Sequence, residues 1–215
     1  MVLPPIVARL LAFLAVRTDP TPRQLAADVL WGEEAGARST ACLRSALWRA
    51  GRVDVPLITK QASYLSIASG VCIDVQQARL FATALVRHGA SPDPAAVVRL
   101  LATDLLPHWD DDWLLLEQER FRMVRLHALE IAAVRLAEQG DYLDALDTGI
   151  SAVAADPLRE SAHRTVIRVH LMEGNYADAL NQFNVYDEIA RKELGVEPSP
   201  QIRRLVSASA SAART

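Results

Sequence analysis

The residues best suited to chemistry are cationic and lie close together. Between residues 36 and 60 the chain carries Arg38, Arg44, Arg49, Arg52 and Lys60 against a single acid, Asp54. At helical spacing Arg38, Ser45, Arg49 and Arg52 fall at i, i+7, i+11 and i+14 on one face, with Arg44 and Trp48 beside them. Leu43, Leu47 and Ala50 fall at i, i+4 and i+7 on another. Guanidinium groups both neutralise phosphates and read guanine bidentately, so the chemistry this face predicts is contact with duplex nucleic acid. The plainer alternative is a solvated arginine-bearing helix with no ligand, and spacing alone leaves both open.

Other reactive residue types form no convergent set. His163 and His170 share a helix face, but seven residues span about 10.5 Å of helix axis, too far to ligate one metal ion. Asp110-Asp111-Asp112 reads as capping and dipole-complementing charge at the start of a helix rather than a metal cluster. Cys42 and Cys72 have apolar neighbours and no ligand or redox spacing, so they read as small buried thiols in a reducing cytoplasm. No phosphate-binding Gly-x-x-x-x-Gly-Lys-Ser/Thr loop, nucleophile elbow or His-Glu-x-x-His pair occurs. The expectation is therefore no catalytic residue, no metal, no cofactor and no enzyme activity.

The elements that would position the cationic face come in a definite order. Ile6 to Val16 reads as an amphipathic helix. Thr21-Pro22-Arg23-Gln24 reads as a helix start, with Thr21 capping, Pro22 at the first helical position and Gln24 completing a capping box. That second helix runs to about Leu30, and a third covers about Arg38 to Ala50. Leu57-Ile58-Thr59 and Tyr64-Leu65-Ser66-Ile67 then alternate as two short strands around the turn Lys60-Gln61-Ala62-Ser63. Three helices and a hairpin make a winged helix-turn-helix, whose third helix enters the major groove while the wing, here Lys60 and Tyr64, reaches the flanking backbone.

The second half is built on a repeat. Gly140 and Gly174, Tyr142 and Tyr176, and Ala145 and Ala179 each stand 34 residues apart, the period of a tetratricopeptide helix pair. Ala152 and the break at Asp156-Pro157 fall where such a unit places its second small residue and its proline. Before the repeats, Asp74 to His88 reads as a helix, Gly89 to Pro94 as a domain boundary, and Ala95 to Leu105 as a helix. A long helix follows from Asp110 to about Gln139. After the repeats, Gly195 stops the last long helix near Leu194, Gln201 to Val206 makes a short final helix, and 207–215 reads as a flexible tail.

Charge divides along the same line. Residues 1–90 carry 10 Lys/Arg and 6 Asp/Glu, a balance of +4, and residues 91–215 carry 13 and 20, a balance of −7. An anionic partner is expected for the first half only. No stretch approaches 18 uninterrupted apolar residues, and no cleavage pattern follows Leu10 to Val16, so the expected setting is cytoplasmic, without a membrane span.

Several runs resemble one family. Arg9-Leu10-Leu11-Ala12-Phe13-Leu14-Ala15, Leu30-Trp31, Leu43-Arg44-Ser45-Ala46-Leu47-Trp48-Arg49 and Val71-Cys72-Ile73-Asp74-Val75 resemble the OmpR-type winged helix of SARP regulators, the antibiotic regulatory proteins. Leu105-Leu106-Pro107, Trp113-Leu114, Glu119-Arg120, Asp156 to Arg164 and Glu193 to Pro200 resemble the bacterial transcriptional activator domain (BTAD) of the same family. The wing turn departs from the family by lacking glycines, and Ala50-Gly51 stands where the family often keeps Leu-Arg. Of the family's opening strands only the end of the lead-in, Leu3-Pro4-Pro5, is present.

The resemblance implies a mainly α chain, with a winged helix-turn-helix DNA-binding domain over 1–89, its N-terminal strands missing or truncated. It implies a TPR-like bacterial transcriptional activator domain over 90–206. By function it implies an activator that binds promoter direct repeats as two protomers side by side, a homodimer on double-stranded DNA. Such an activator recruits RNA polymerase holoenzyme and regulates a secondary-metabolite gene cluster. Arg38, Arg44, Ser45, Trp48, Arg49, Arg52, Lys60 and Tyr64 would form the DNA-binding set. The missing opening strands and the thinned basic tract favour the alternative, a TPR-like interaction scaffold whose degenerate winged helix does not bind DNA. The retained Leu43 to Arg49 run and the +4 balance of the first half favour the activator.

Overall fold

The first helix of the computed structural model, which describes residues 3–32, 37–88 and 94–212, begins at its own prolines. Pro4 is the N-cap of α1 (Pro5–Ala15), and its carbonyl accepts from the Val7 and Ala8 amides. Pro5 has no amide to orphan in the first turn, which suits it to that place. The chain forms two compact units, residues 1–77 with 105–120 and residues 78–104 with 121–215. Residues 89–93, on which the expected boundary falls, lie outside the described residues.

In the first unit α1, α2 (Arg23–Trp31) and α3 (Ala37–Ala50) enclose one core with β3 (Tyr64–Ile67). Leu10, Phe13 and Leu14 of α1 meet Ala26, Ala27 and Leu30 of α2, Leu43, Ala46 and Leu47 of α3, and Leu65 of β3. Each large side chain buried there contributes about 1.5–3 kcal/mol, so this cluster dominates the unit's stability. Trp113 closes it edge-on to Phe13, ring centroids 5.2 Å apart at 87°. The end of α1 is tied down by the Gln76 side-chain amide, which donates to the Ala15 and Arg17 carbonyls at 2.9 and 3.1 Å.

The sheet is antiparallel, in the order β1 (Thr21–Pro22), β3, β2 (Ile58–Gln61). This corrects the expected capping box. Thr21 pairs with Leu65 in the sheet, α2 starts at Arg23 with no side-chain cap, and Gln24 instead donates to Asp28 at 2.8 Å. Pairing with a strand some forty residues away satisfies the Thr21 backbone better than a local cap would. The hairpin turn is also tighter than expected. Gln61 pairs directly with Tyr64, which leaves only Ala62 and Ser63 in the turn, and Ala62 takes the positive φ, +47°, that so short a turn demands. Cys72 is exposed and Cys42 half-buried, against the expectation of two buried thiols, because Cys72 falls in the loop before α4 (Asp74–His88).

In the same unit the Gln118 side-chain amide donates to the carbonyls of Leu105, Leu106 and Trp109 at 3.2, 3.0 and 3.3 Å, and Leu106 sits at φ +44°. One side chain thus holds the Leu-Leu-Pro turn in a shape its own residues disfavour.

In the second unit α5 (Pro94–Leu100) stops earlier than the sequence suggests. Arg125, from the long helix α6 (Asp112–Glu138), donates to the Leu101 and Ala102 carbonyls at 2.7 and 3.3 Å and to Asp104 at 3.1 Å. A buried guanidinium takes the carbonyls that another helical turn would have used.

The repeats follow as α7 (Tyr142–Ala155), α8 (Glu160–Glu173) and α9 (Tyr176–Ile189), the last extended by a π-helical turn over Ala190–Leu194. Their capping geometry recurs with the 34-residue period. Gly140 donates to the Ala137 carbonyl and Asp141 to that of Leu136; Gly174 donates to Leu171 and Asn175 to His170. Both are Schellman closures, and both glycines take positive φ, +85° and +90°. Ala145, Ala152 and Ala179 are fully buried, which confirms them as the small residues that let neighbouring helices approach.

A second recurrence shows how the array ends. The Tyr142 hydroxyl donates to the Met172 carbonyl and the Tyr176 hydroxyl to that of Val206, each acceptor 30 residues further on. Helix α10 (Pro200–Ala212) therefore occupies the place of the next repeat's first helix. Ser199 caps it by accepting from the Gln201 amide at 3.1 Å, and both its hydroxyl and its backbone amide donate to Glu160. That is the physical content of the Glu-Pro-Ser-Pro run. The helix runs to Ala212 instead of stopping at Val206, since the Ser/Ala-rich segment has helix-forming alanines throughout.

His163 is buried in this unit. Its Nε2 lies 3.0 Å from the Pro157 carbonyl, its Nδ1 lies 2.8 Å from the Gln182 amide nitrogen, and its ring packs on Tyr186 at 4.8 Å. Burial pulls its pKa below the usual 6.5, so the ring is neutral, with Nε2–H donating and Nδ1 accepting. Among the described residues no helix is long and apolar enough to cross a membrane.

Candidate nucleic-acid interface

Helix α3 divides cleanly into two arcs. At about 100° per residue, buried Ser39, Leu43, Ala46, Leu47 and Ala50 span an arc of about 100°. Arg38, Ala41, Arg44, Trp48 and Arg49 are exposed on the opposite arc with half-buried Ser45, and Arg52 continues it just past the helix. The core holds the helix by one face and leaves the other free along its whole length. All six residues predicted for this helix are brought together there.

Two contacts organise the far end of the arc. The Arg52 guanidinium lies over the Trp48 ring, 4.3 Å from its centroid, and the Arg52 amide donates to the Arg49 carbonyl at 3.1 Å. Trp48 is 60% exposed, unusual for the residue with the most apolar surface to hide. The stack holds a planar cation above the helix surface with its outer edge open. Among the described residues no carboxylate pairs with Arg38, Arg44, Arg49 or Arg52. An arc of four guanidiniums suits a polyanion that supplies several negative charges along one line.

The wing residues stand apart from this arc. Lys60 is paired with Leu65 and Gln61 with Tyr64, and directly opposed residues share a face, so Lys60 and Tyr64 point to opposite faces of the hairpin. Both are exposed, Tyr64 by 47%. The sequence reading missed Ala41, which lies on the arc between Trp48 and Arg52 and whose methyl is the kind of group that meets a thymine methyl. An alanine in a helix gives no signal of such a role. It also missed the Trp48–Arg52 stack, for which the i, i+4 spacing of an aromatic and a cation was the available signal.

The comparisons with known proteins agree with this architecture. Residues 94–208 match the family described as the bacterial transcriptional activator domain. The regulatory protein AfsR of Streptomyces coelicolor is 28% identical over 192 residues, and that of Streptomyces griseus 24% identical over 189. Each match takes in 83% of this chain and 19% of the relative, so the chain spans about a fifth of the length of the curated relatives it matches. The solved structure of Mycobacterium tuberculosis EmbR, in complex with a low-affinity phosphopeptide, aligns with a TM-score of 0.60 at 23% identity. That alignment covers 97% of this chain and 60% of EmbR, and the likeness is one of fold.

Proposed function

The chain belongs to the SARP family of transcriptional regulators that carry the bacterial transcriptional activator domain, and on that premise we propose that it activates transcription by binding promoter DNA. The observation that carries the reading is the exposed arginine arc of a winged helix's third helix, with which no carboxylate among the described residues pairs. Arg38, Arg44, Arg49 and Arg52 contact phosphates or guanine edges, with Ser45 and Trp48 packed between them. Lys60 and Tyr64 on the wing reach the flanking backbone, each from its own face of the hairpin. Residues 1–89 serve as the DNA-binding part and residues 90–206 as the activator part.

The family premise supports the finer reading: two protomers side by side on direct repeats, recruitment of RNA polymerase holoenzyme, and control of a secondary-metabolite gene cluster from the cytoplasm. The activity is one of binding, with no reaction catalysed.

The test is fluorescence anisotropy with a labelled mixed-sequence duplex across a salt series, with Arg44→Ala and Arg49→Ala alongside. If all four arginines of the arc meet phosphates, log K falls against log salt with a slope of about −3.6, and each substitution flattens it by about 0.9. An arginine that reads a base instead loses roughly 1–3 kcal/mol, concentrated at its own base pair. No binding at low salt, or binding indifferent to both substitutions, would overturn the proposal and leave a protein-interaction scaffold.

A further inference from the structure

Residues 91–215 are acidic overall, yet one groove formed within that stretch is lined by arginines. Ile131, Val134, Arg135 and Glu138 stand at i, i+3, i+4 and i+7 on α6, and Ser161, Arg164, Thr165 and Arg168 repeat that spacing on α8. Such residues form one stripe of a helix. The two stripes line a shared cavity of about 330 Å³. At its edge Glu130 is neutralised by Arg159 at 2.6 Å and accepts from Ser161 at 2.7 Å. Arg164 donates to the Gln201 side chain, which steadies a guanidinium at the rim, and it has no ion-pair partner among the described residues. Arg135 and Arg168 have no carboxylate partner among the described residues. Glu138 is the one lining carboxylate without a cation partner among them, so the groove keeps a positive balance. Half-buried Ile131 and Val134 supply apolar surface within the same stripe.

We propose that this groove docks an acidic–aliphatic peptide segment of a partner protein. Arg135, Arg164 and Arg168 take its carboxylates, and Ile131 and Val134 take its apolar side chains. The mixed lining decides for a peptide. A nucleic-acid backbone offers charge at every step and nothing for the aliphatic pair, whereas alternating glutamate and leucine offers both. The groove is thus selective for the opposite charge from the one the net balance of residues 91–215 attracts. The inference stands on this unit alone and does not depend on DNA binding.

The experiment is fluorescence anisotropy of the full chain with a fluorescein-labelled peptide of alternating Glu and Leu. The same peptide with Gln for Glu and a labelled DNA duplex serve as competitors. The Glu peptide binds, and the Gln peptide binds at least about tenfold more weakly. Replacing Arg135 and Arg168 together by glutamine weakens the Glu peptide by about tenfold. Glu138→Gln tightens it by about two- to threefold, a gain that no loss of folding can imitate. Equal affinity for the two peptides, indifference to the arginine substitutions, no binding of the Glu peptide near millimolar, or displacement by duplex at the groove would each overturn the proposal.

Discussion

Gly174→Ala tests whether the repeat's glycines are there for their backbone or merely for their size. At φ +90° the residue closes α8, and a Cβ built on it meets no atom within 4 Å. Space therefore contributes nothing, and the whole cost is conformational. An L-residue held in the left-handed region costs about 1–2 kcal/mol, while alanine's narrower unfolded ensemble returns roughly 0.4–1 kcal/mol. The expected net is a destabilisation of about 1 kcal/mol, which lowers Tm by about 2–4 °C in a chain of this length. Urea unfolding followed by far-ultraviolet circular dichroism reads it as a lower midpoint at unchanged slope. Gly140→Ala, at φ +85° with the same open surroundings, should cost the same within roughly 0.5 kcal/mol, and Gly174→Asn should cost less than Gly174→Ala. An ordinary helical glycine gains about 1 kcal/mol when replaced by alanine, so the sign decides. A neutral or stabilising result at either position would refute the argument.

Other expectations follow from single contacts. Ala62→Gly relieves the positive φ of the wing turn and should stabilise the first unit by up to about 1 kcal/mol, read in thermal unfolding. Arg125→Met leaves two backbone carbonyls without their donor and should cost about 3 kcal/mol in urea unfolding; a loss under about 1 kcal/mol would mean that the carbonyls find water. His163 gives a pH dependence of definite sign. Its folded pKa lies below 6.5, so the unfolded chain takes up the proton first. The contribution is fully present above about pH 6.5 and is lost as the pH falls through the folded value. Tm measured from pH 7.5 down to 5 should fall, and His163→Gln should flatten that fall; an unchanged slope in the variant would remove the histidine from the account.

What was legible in the sequence was periodic and local. The two faces of α3 could be read because Leu43, Leu47 and Ala50 recur with the turn of a helix while the arginines recur out of phase. Gly140 and Gly174 could be read because a left-handed residue at a helix end admits few types, and the spacing between them has one common meaning. Where the reading failed, a residue far along the chain had settled the matter. Thr21 has every local reason to cap a helix, but Leu65 offers it a strand. The helix after Pro94 has apolar residues enough to reach Leu105, but Arg125 takes its carbonyls at Leu101 and Ala102. Lys60 was expected in a four-residue turn, yet the two-residue turn draws it into the strand opposite Leu65, on the other face from Tyr64. Local propensity cannot see any of these, because each depends on the partner rather than on the segment.

The position of α10 has a consequence for how the molecule behaves in company. A linear stack of like units has an adhesive end, since the surface that receives the next unit is by construction the surface that fits one. Here Ile202 and Val206 fill that surface from within the chain, covering Ile167, Ala179 and Tyr186, and the Tyr176 hydroxyl has its acceptor. Stripped of α10, the array would present a socket complementary to the first helix of its own repeat, and chains would add head to tail without closing into a ring. The last helix acts on this surface as a chain terminator does in the polymer chemist's sense: it occupies, from within the chain, the place where a like unit would add.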